Sequence, residues 1–144
     1  MYTICGVNKL QKKILLIDDI DFVLNLEKEL FNEIQKESAL TFAIETASSV
    51  SEALAHLDNT VYDLLITDMN LPDGNGSEIA KAAAEKSSGK TTLVALTSMP
   101  IAFEESKELF DTYLTKPTSP RDIKKHFLKL VSSLSSITRE RESS

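Results

Sequence analysis

Tyr62-Asp-Leu-Leu-Ile-Thr-Asp-Met-Asn-Leu-Pro-Asp-Gly-Asn-Gly76 decides the fold of this chain. Its first half is an apolar run, Tyr62 to Thr67, that ends on an acid, Asp68. Its second half, from Asn70 to Gly76, is dense in turn formers. A buried strand that stops at a turn follows. Lys13-Ile-Leu-Leu-Ile-Asp18 has the same form. Continuous apolar runs of this length mark strands covered by helices on both faces, whereas half-exposed strands alternate.

Outward from these two strands, strand and helix patterns take turns. From Asp21, the residues Val23, Leu26, Leu30 and Ile34 recur at three- and four-residue intervals, which predicts a helix of about fifteen residues. Leu40 to Thr46 is a weaker, alternating strand, and Ser49 caps a helix carrying Val50, Ala53, Leu54 and Leu57. Ser77 precedes an Ala-rich helix that ends near Ser87 and is terminated by Gly89, and Thr92 to Leu96 forms a strand stopping at Thr97. Pro100 opens a helix with Ala102 or Phe103, Ser106, Leu109 and Phe110 on one side. Thr112 to Thr115 is a short strand. The last helix starts near Pro120 and places Ile123, Phe127, Leu130, Val131 and Leu134 on one stripe. Residues 1–11 are expected to be an N-terminal extension, 12–134 a single domain and 135–144 a disordered tail.

Bulk properties exclude several classes. At 144 residues there is room for one core. A formal net charge of −6 opposes a surface built to neutralise nucleic-acid backbones, so no direct nucleic-acid partner is expected. The longest apolar runs fall far short of the ~20 residues that cross a bilayer. Met1 to Lys12 lacks the apolar core and cleavage site of a secretory leader, so a cytoplasmic location without membrane contact is expected. Cys5 is the only cysteine, which excludes an internal disulfide and a thiolate metal cluster. His56 and His126 lack metal-ligand spacing and are expected on the surface or in packing.

Five strand-helix repeats joined by right-handed crossovers make an α/β fold with a doubly wound five-stranded parallel sheet. Such sheets carry function just beyond the carboxyl ends of their strands. Those ends supply Asp18 and Asp19, Asp68, Thr97 and Lys116. Three carboxylates brought together repel unless a cation sits among them. Oxygen ligands without histidine or cysteine favour Mg²⁺ over zinc. A carboxylate beside such an ion can attack phosphorus, while a lysine and a hydroxyl stabilise the phosphoryl oxygens, and Asp68 is the natural nucleophile.

The pair Asp18-Asp19 after Ile17, the segment Thr67 to Gly76, the strand end Ala95-Leu-Thr-Ser98 and Tyr113-Leu-Thr-Lys-Pro117 together resemble the receiver domains of two-component response regulators, over roughly residues 12 to 134. The resemblance implies a flavodoxin-like, CheY-like (βα)5 fold with strand order 2-1-3-4-5, an order general principles also give for this fold. It makes Asp68 the phosphoacceptor and gives Asp19, Asp68 and the Asn70 backbone carbonyl direct contact with Mg²⁺, with Asp18 acting through water. Lys116 would contact the phosphoryl group or Asp68. Thr97 would move toward the phosphate, and Tyr113 would turn inward as the aromatic switch. Pro117 would follow a cis peptide bond that aims Lys116 at the site. The implied partners are a histidine kinase or histidine phosphotransfer protein upstream and a protein target downstream. Output would pass through the fourth helix, fifth strand and fifth helix, which is also the surface for any homodimer. Met99, two residues after Thr97, is apolar and cannot orient an attacking water, so slow self-dephosphorylation is expected.

Blander readings stand beside these. A lone strand-end Asp is often a turn residue or cap, Thr97 suits an ordinary strand and Tyr113 suits a core. Two other function classes compete with the signalling module. A phosphorylation-independent scaffold of the same fold would not require all five site residues. An aspartate-nucleophile phosphatase would want a second acid two residues after Asp68, where Asn70 stands. The residues left over do not accommodate an output domain, so a stand-alone receiver or a piece of a longer regulator or hybrid kinase is expected, with Met1 and the short tail leaning toward the first.

Overall fold

The computed structural model describes residues 10–97, 107–115 and 119–143, with side chains described from Gln11 through Ser132 within these ranges. Five strands, β1 (Leu10–Ile17), β2 (Leu40–Ala47), β3 (Leu64–Asp68), β4 (Thr92–Thr97) and β5 (Thr112–Thr115), form one parallel sheet in the order β2-β1-β3-β4-β5. The expected doubly wound arrangement and strand order are therefore those of the protein.

Burial explains why the central strands read as unbroken apolar runs. Ile14, Leu15, Leu16 and Ile17 of β1 and Leu64, Leu65 and Ile66 of β3 are completely buried, because both faces of the sheet carry helices. Leu15, Ile17 and Leu65 pack on one face with α2 (Val50–Asn59) and α3 (Gly76–Ser87). Ile14, Leu16, Leu64 and Ile66 pack on the other with α1 (Asp21–Lys36) and the last helix, Pro120–Ser143. On that second face Phe31 stacks on Phe127 with ring centroids 4.4 Å apart and meets Phe42 edge-on at 5.5 Å. Lys124 of the last helix reaches Glu33 of α1 at 3.0 Å, and that contact raises the lysine pKa.

The ends of these elements follow from local chemistry. Ser49 caps α2 by accepting the Glu52 N–H, as its position before the apolar stripe suggests. α3 starts one residue earlier than Ser77 and is capped by Asn75, whose side chain accepts the Ser77 N–H while Glu78 reaches back to the Asn75 N–H. It ends on Ser88 and Gly89, with φ of 56° and 79°, and the Gly89 N–H returns to Ala84 O.

Several boundaries depart from the expectations. β1 begins at Leu10, inside the segment expected as an extension, because its pairing with β2 runs on to Leu40 beyond the apolar run. Tyr62 precedes β3 and turns its hydroxyl to Glu45 of β2. That contact and, above all, burial push the phenol pKa up. The last helix runs through Ser143, past the Leu134 that ends its expected apolar stripe, and 135–143 contains neither glycine nor proline to stop it. The helix expected from Pro100 falls mostly on 98–106, outside the described residues, and Lys107–Leu109 is a 3-10 turn. Among the described residues no helix is long and apolar enough to cross a membrane.

Candidate functional site

The carboxyl end of the sheet gathers acids from two adjacent strands. Asp18 and Asp19 follow the last residue of β1, and Asp68 is the last residue of β3. Each offers a carboxylate oxygen, and these three oxygens lie within 4.8 Å of one another. Parallel pairing of Ile17 with Thr67 sets the juxtaposition, because it brings both strands to an end at the same level.

Local hydrogen bonds hold two of the acids in place. Asp18 is fully buried. Its backbone N–H donates to Ala47 O at 3.1 Å, and its Oδ1 accepts the Ile20 N–H at 3.0 Å, which turns the chain into α1. Asp68 Oδ1 accepts the Asn70 N–H at 3.2 Å, and the next backbone N–H, of Met69, donates to Leu96 O on β4 at 3.1 Å. Asp19 is exposed, which leaves one mouth of the cluster open to solvent.

Gly76 lies directly behind Asp68. A Cβ at this position would come within 2.7 Å of the Asp68 carbonyl oxygen and 3.1 Å of Thr67 Cγ2, so the approach of α3 to the end of β3 requires glycine. The Gly76 N–H donates to Met69 O at 3.0 Å and closes the loop. Within that loop Asn70 pairs with Asn75 and Leu71 with Gly74, a two-residue antiparallel ladder that the turn-rich composition does not announce.

The remaining expected site residues fall into two groups. Thr97 is buried at the end of β4, one position beyond the residue that pairs with Asp68, and so lies at the same edge of the sheet. Tyr113, on β5 opposite Ala95, is 44% exposed, facing outward rather than into the core. Lys116, Pro117 and Met99 lie outside the described residues. Ile20 and Phe22, which sequence patterns do not single out, are 51% and 75% exposed in the turn and first helical residues directly after the acidic pair.

A buried parallel sheet with an acidic cluster at its carboxyl edge is a doubly wound α/β architecture with its candidate site where such sheets carry function. The family model for the response regulator receiver domain matches residues 14–128, and the chain belongs to that family. It is similar to the transcriptional regulatory protein ResD of Bacillus subtilis, 29% identical over 119 residues that cover 78% of this chain and 45% of ResD. The chain spans less than half the length of ResD and of two other transcriptional regulators that it matches. Among solved structures, the chemotaxis response regulator CheY4 of Vibrio cholerae is similar with a TM-score of 0.70 and 25% identity, over 86% of this chain and 98% of CheY4. The receiver domain of the sensor histidine kinase PA1611 from Pseudomonas aeruginosa shares the fold, with a TM-score of 0.66 and 16% identity over 83% and 96% of the two chains. That structure has a magnesium ion coordinated in its active site cleft.

Proposed function

We propose that this receiver accepts a phosphoryl group on Asp68 from a phosphohistidine donor, a histidine kinase or a histidine phosphotransfer protein, and signals to a protein partner in the cytoplasm. The convergence of the Asp18, Asp19 and Asp68 carboxylates carries the proposal. Three acids of one sign at one sheet edge suit a hard divalent cation, and the absence of histidine or thiolate from the cluster favours magnesium. When bound, Mg²⁺ supplies positive charge to the phosphoryl oxygens and to the attacking carboxylate.

The chain's own residues do the rest. Asp19, Asp68 and the Asn70 backbone carbonyl would hold the ion, and Asp18, fixed by its bond to Ile20, would act through water. An Asp68 carboxylate oxygen attacks phosphorus, the P–N bond of the phosphohistidine breaks, and the leaving imidazole nitrogen keeps its electron pair and takes up a proton. The product is an acyl phosphate on Asp68. Lys116 and the Thr97 hydroxyl take the phosphoryl oxygens. The inward movement of Thr97 draws Tyr113 from its exposed position toward the core, a population shift set by contacts that exist only with the phosphate. Attack by water later releases inorganic phosphate and restores the carboxylate.

Acetyl phosphate with Mg²⁺ is expected to add one phosphoryl group per chain by intact mass, and chelation of the metal to abolish the gain. No uptake, or uptake indifferent to magnesium, would overturn the proposal. The apolar pair Ile20 and Phe22 beside Asp19 suits docking of the protein donor. Aromatic residues of this kind often carry ~2 kcal/mol of an interface. Phe22→Ala is therefore expected to slow transfer from a phosphorylated histidine phosphotransfer protein by at least about tenfold and to leave uptake from acetyl phosphate unchanged, as rapid-quench measurements with both donors would establish.

A further inference from the structure

The hairpin that follows β3 is held at its base and, separately, at its tip. Asn70 opposes Asn75 and Leu71 opposes Gly74, so Pro72 and Asp73 form the tip. A two-residue ladder has little stability of its own. At the base, Gly76 N–H donates to Met69 O at 3.0 Å and Asn75 N–H to Glu78 Oε2 at 3.0 Å. At the tip, the two carboxylate oxygens of Asp73 accept the N–H groups of Val50 at 2.7 Å and Ser51 at 2.9 Å, the first two residues of α2.

Those two N–H groups have no acceptor within their own helix, because the first turn always leaves its donors over. A carboxylate taking both is oriented in two directions at once, and its charge sits at the favourable end of the helix. The hydrogen bonds from Ser51 and Val50 hold the Asp73 carboxyl below its ordinary range, so it remains ionised at neutral pH. Leu71 and Val50 also share one apolar core, which keeps the hairpin and α2 in register beneath the polar bonds.

The geometry points to Asp73 as a positioning residue for the metal site: by pinning the hairpin tip to α2, it fixes the place of the Asn70 backbone relative to Asp68. The role rests on the magnesium reading proposed above. A rival account makes Asp73 only a cap for α2, and Ser49 separates the two. Ser49 caps the same helix through the Glu52 N–H and makes no bond to the hairpin among the contacts described.

The test uses the full chain, with Mg²⁺ affinity measured by titration calorimetry because the protein has no tryptophan to report on the site. Hydrogen exchange of the Leu71 and Gly74 amides in metal-free protein gives a second readout. Asp73→Ala is expected to weaken magnesium binding roughly tenfold, the low end for partners that orient metal ligands, and to speed exchange at both amides. Asp73→Asn, which keeps one acceptor oxygen, should fall between it and wild type, and serves alone if the alanine variant does not fold. Ser49→Ala should leave both readouts within about twofold of wild type. Equal affinities for wild type and the Asp73 variants, or an equal loss in Ser49→Ala, would overturn the role of Asp73. A wild type that binds no magnesium would instead overturn the metal reading beneath it.

Discussion

Asp68→Asn is expected to abolish phosphoryl uptake while leaving the fold intact. The amide has no oxygen nucleophilic enough to attack phosphorus, yet its carbonyl can still accept the Asn70 N–H now bonded to Asp68 Oδ1 at 3.2 Å. The local turn should therefore persist. Electrostatics adds a second, less obvious expectation. In metal-free protein Asp68 sits with two other carboxylates whose oxygens are within 4.8 Å. At that separation two like charges repel by about 1 kcal/mol in a water-like dielectric. Removing one charge should make the metal-free variant as stable as wild type or more so. Magnesium should reverse the order, since wild type offers the ion more charge and gains more from binding. Intact mass after treatment with acetyl phosphate and thermal unfolding with and without Mg²⁺ check both parts. A stable mass gain in both proteins would place the phosphate on another residue. A variant less stable than wild type in the absence of magnesium would deny the repulsion.

The features legible in the sequence are those set by continuous burial or local capping. β1 and β3 were readable because their runs Ile14 to Ile17 and Leu64 to Ile66 are covered on both faces and admit only apolar side chains, and Asp18 and Asp68 lie just past them at the carboxyl edge. Ser49 and Gly89 were readable because caps depend on a few neighbouring residues. The Asn75 and Glu78 capping box was equally local, yet Ser77 drew the expectation away from it. Strand order is a different matter: periodicity says nothing about which strands are neighbours, and the order came from resemblance to receivers.

Long-range polar contacts were not legible at all. Nothing near Asp73 indicates that its carboxylate binds the start of a helix 22 and 23 residues earlier. Nor does the sequence around His56 show that its Nε2 lies 3.1 Å from Thr46 O and its Nδ1 3.7 Å from Glu45, so that it joins α2 to the edge strand β2. Exposure at Ile20 and Phe22 was hidden for a related reason. Both residues read as ordinary apolar positions, and only the direction in which α1 leaves the acidic turn shows that they face solvent.

Phe31→Ala should cause the largest loss of stability on the α1 face. The ring is completely buried, stacks on Phe127 at 4.4 Å with planes 14° apart, and meets Phe42 edge-on at 77°. It thus joins three elements, α1, β2 and the last helix, through contacts that no smaller side chain can span together. Truncating a buried phenylalanine costs about 3–5 kcal/mol through lost transfer energy and the cavity left behind. The upper half of that range applies here, since two aromatic partners lose a neighbour and both are held by the backbone of other elements. Against a total stability of ~5–15 kcal/mol, such a loss leaves a substantial unfolded fraction in a domain of this size. Phe31→Leu retains most of the volume and should cost much less, about 1–2 kcal/mol. Urea unfolding should show the midpoint falling in this order with the slope unchanged. The acidic cluster is held by the strand ends and their own hydrogen bonds, so the folded fraction of Phe31→Ala should still take up phosphate at the wild-type rate in low denaturant. A loss below about 1 kcal/mol would mean that the three rings pack independently. A phosphorylation rate that fell with Phe31→Leu, whose fold is nearly intact, would mean that the α1 face bears directly on the site.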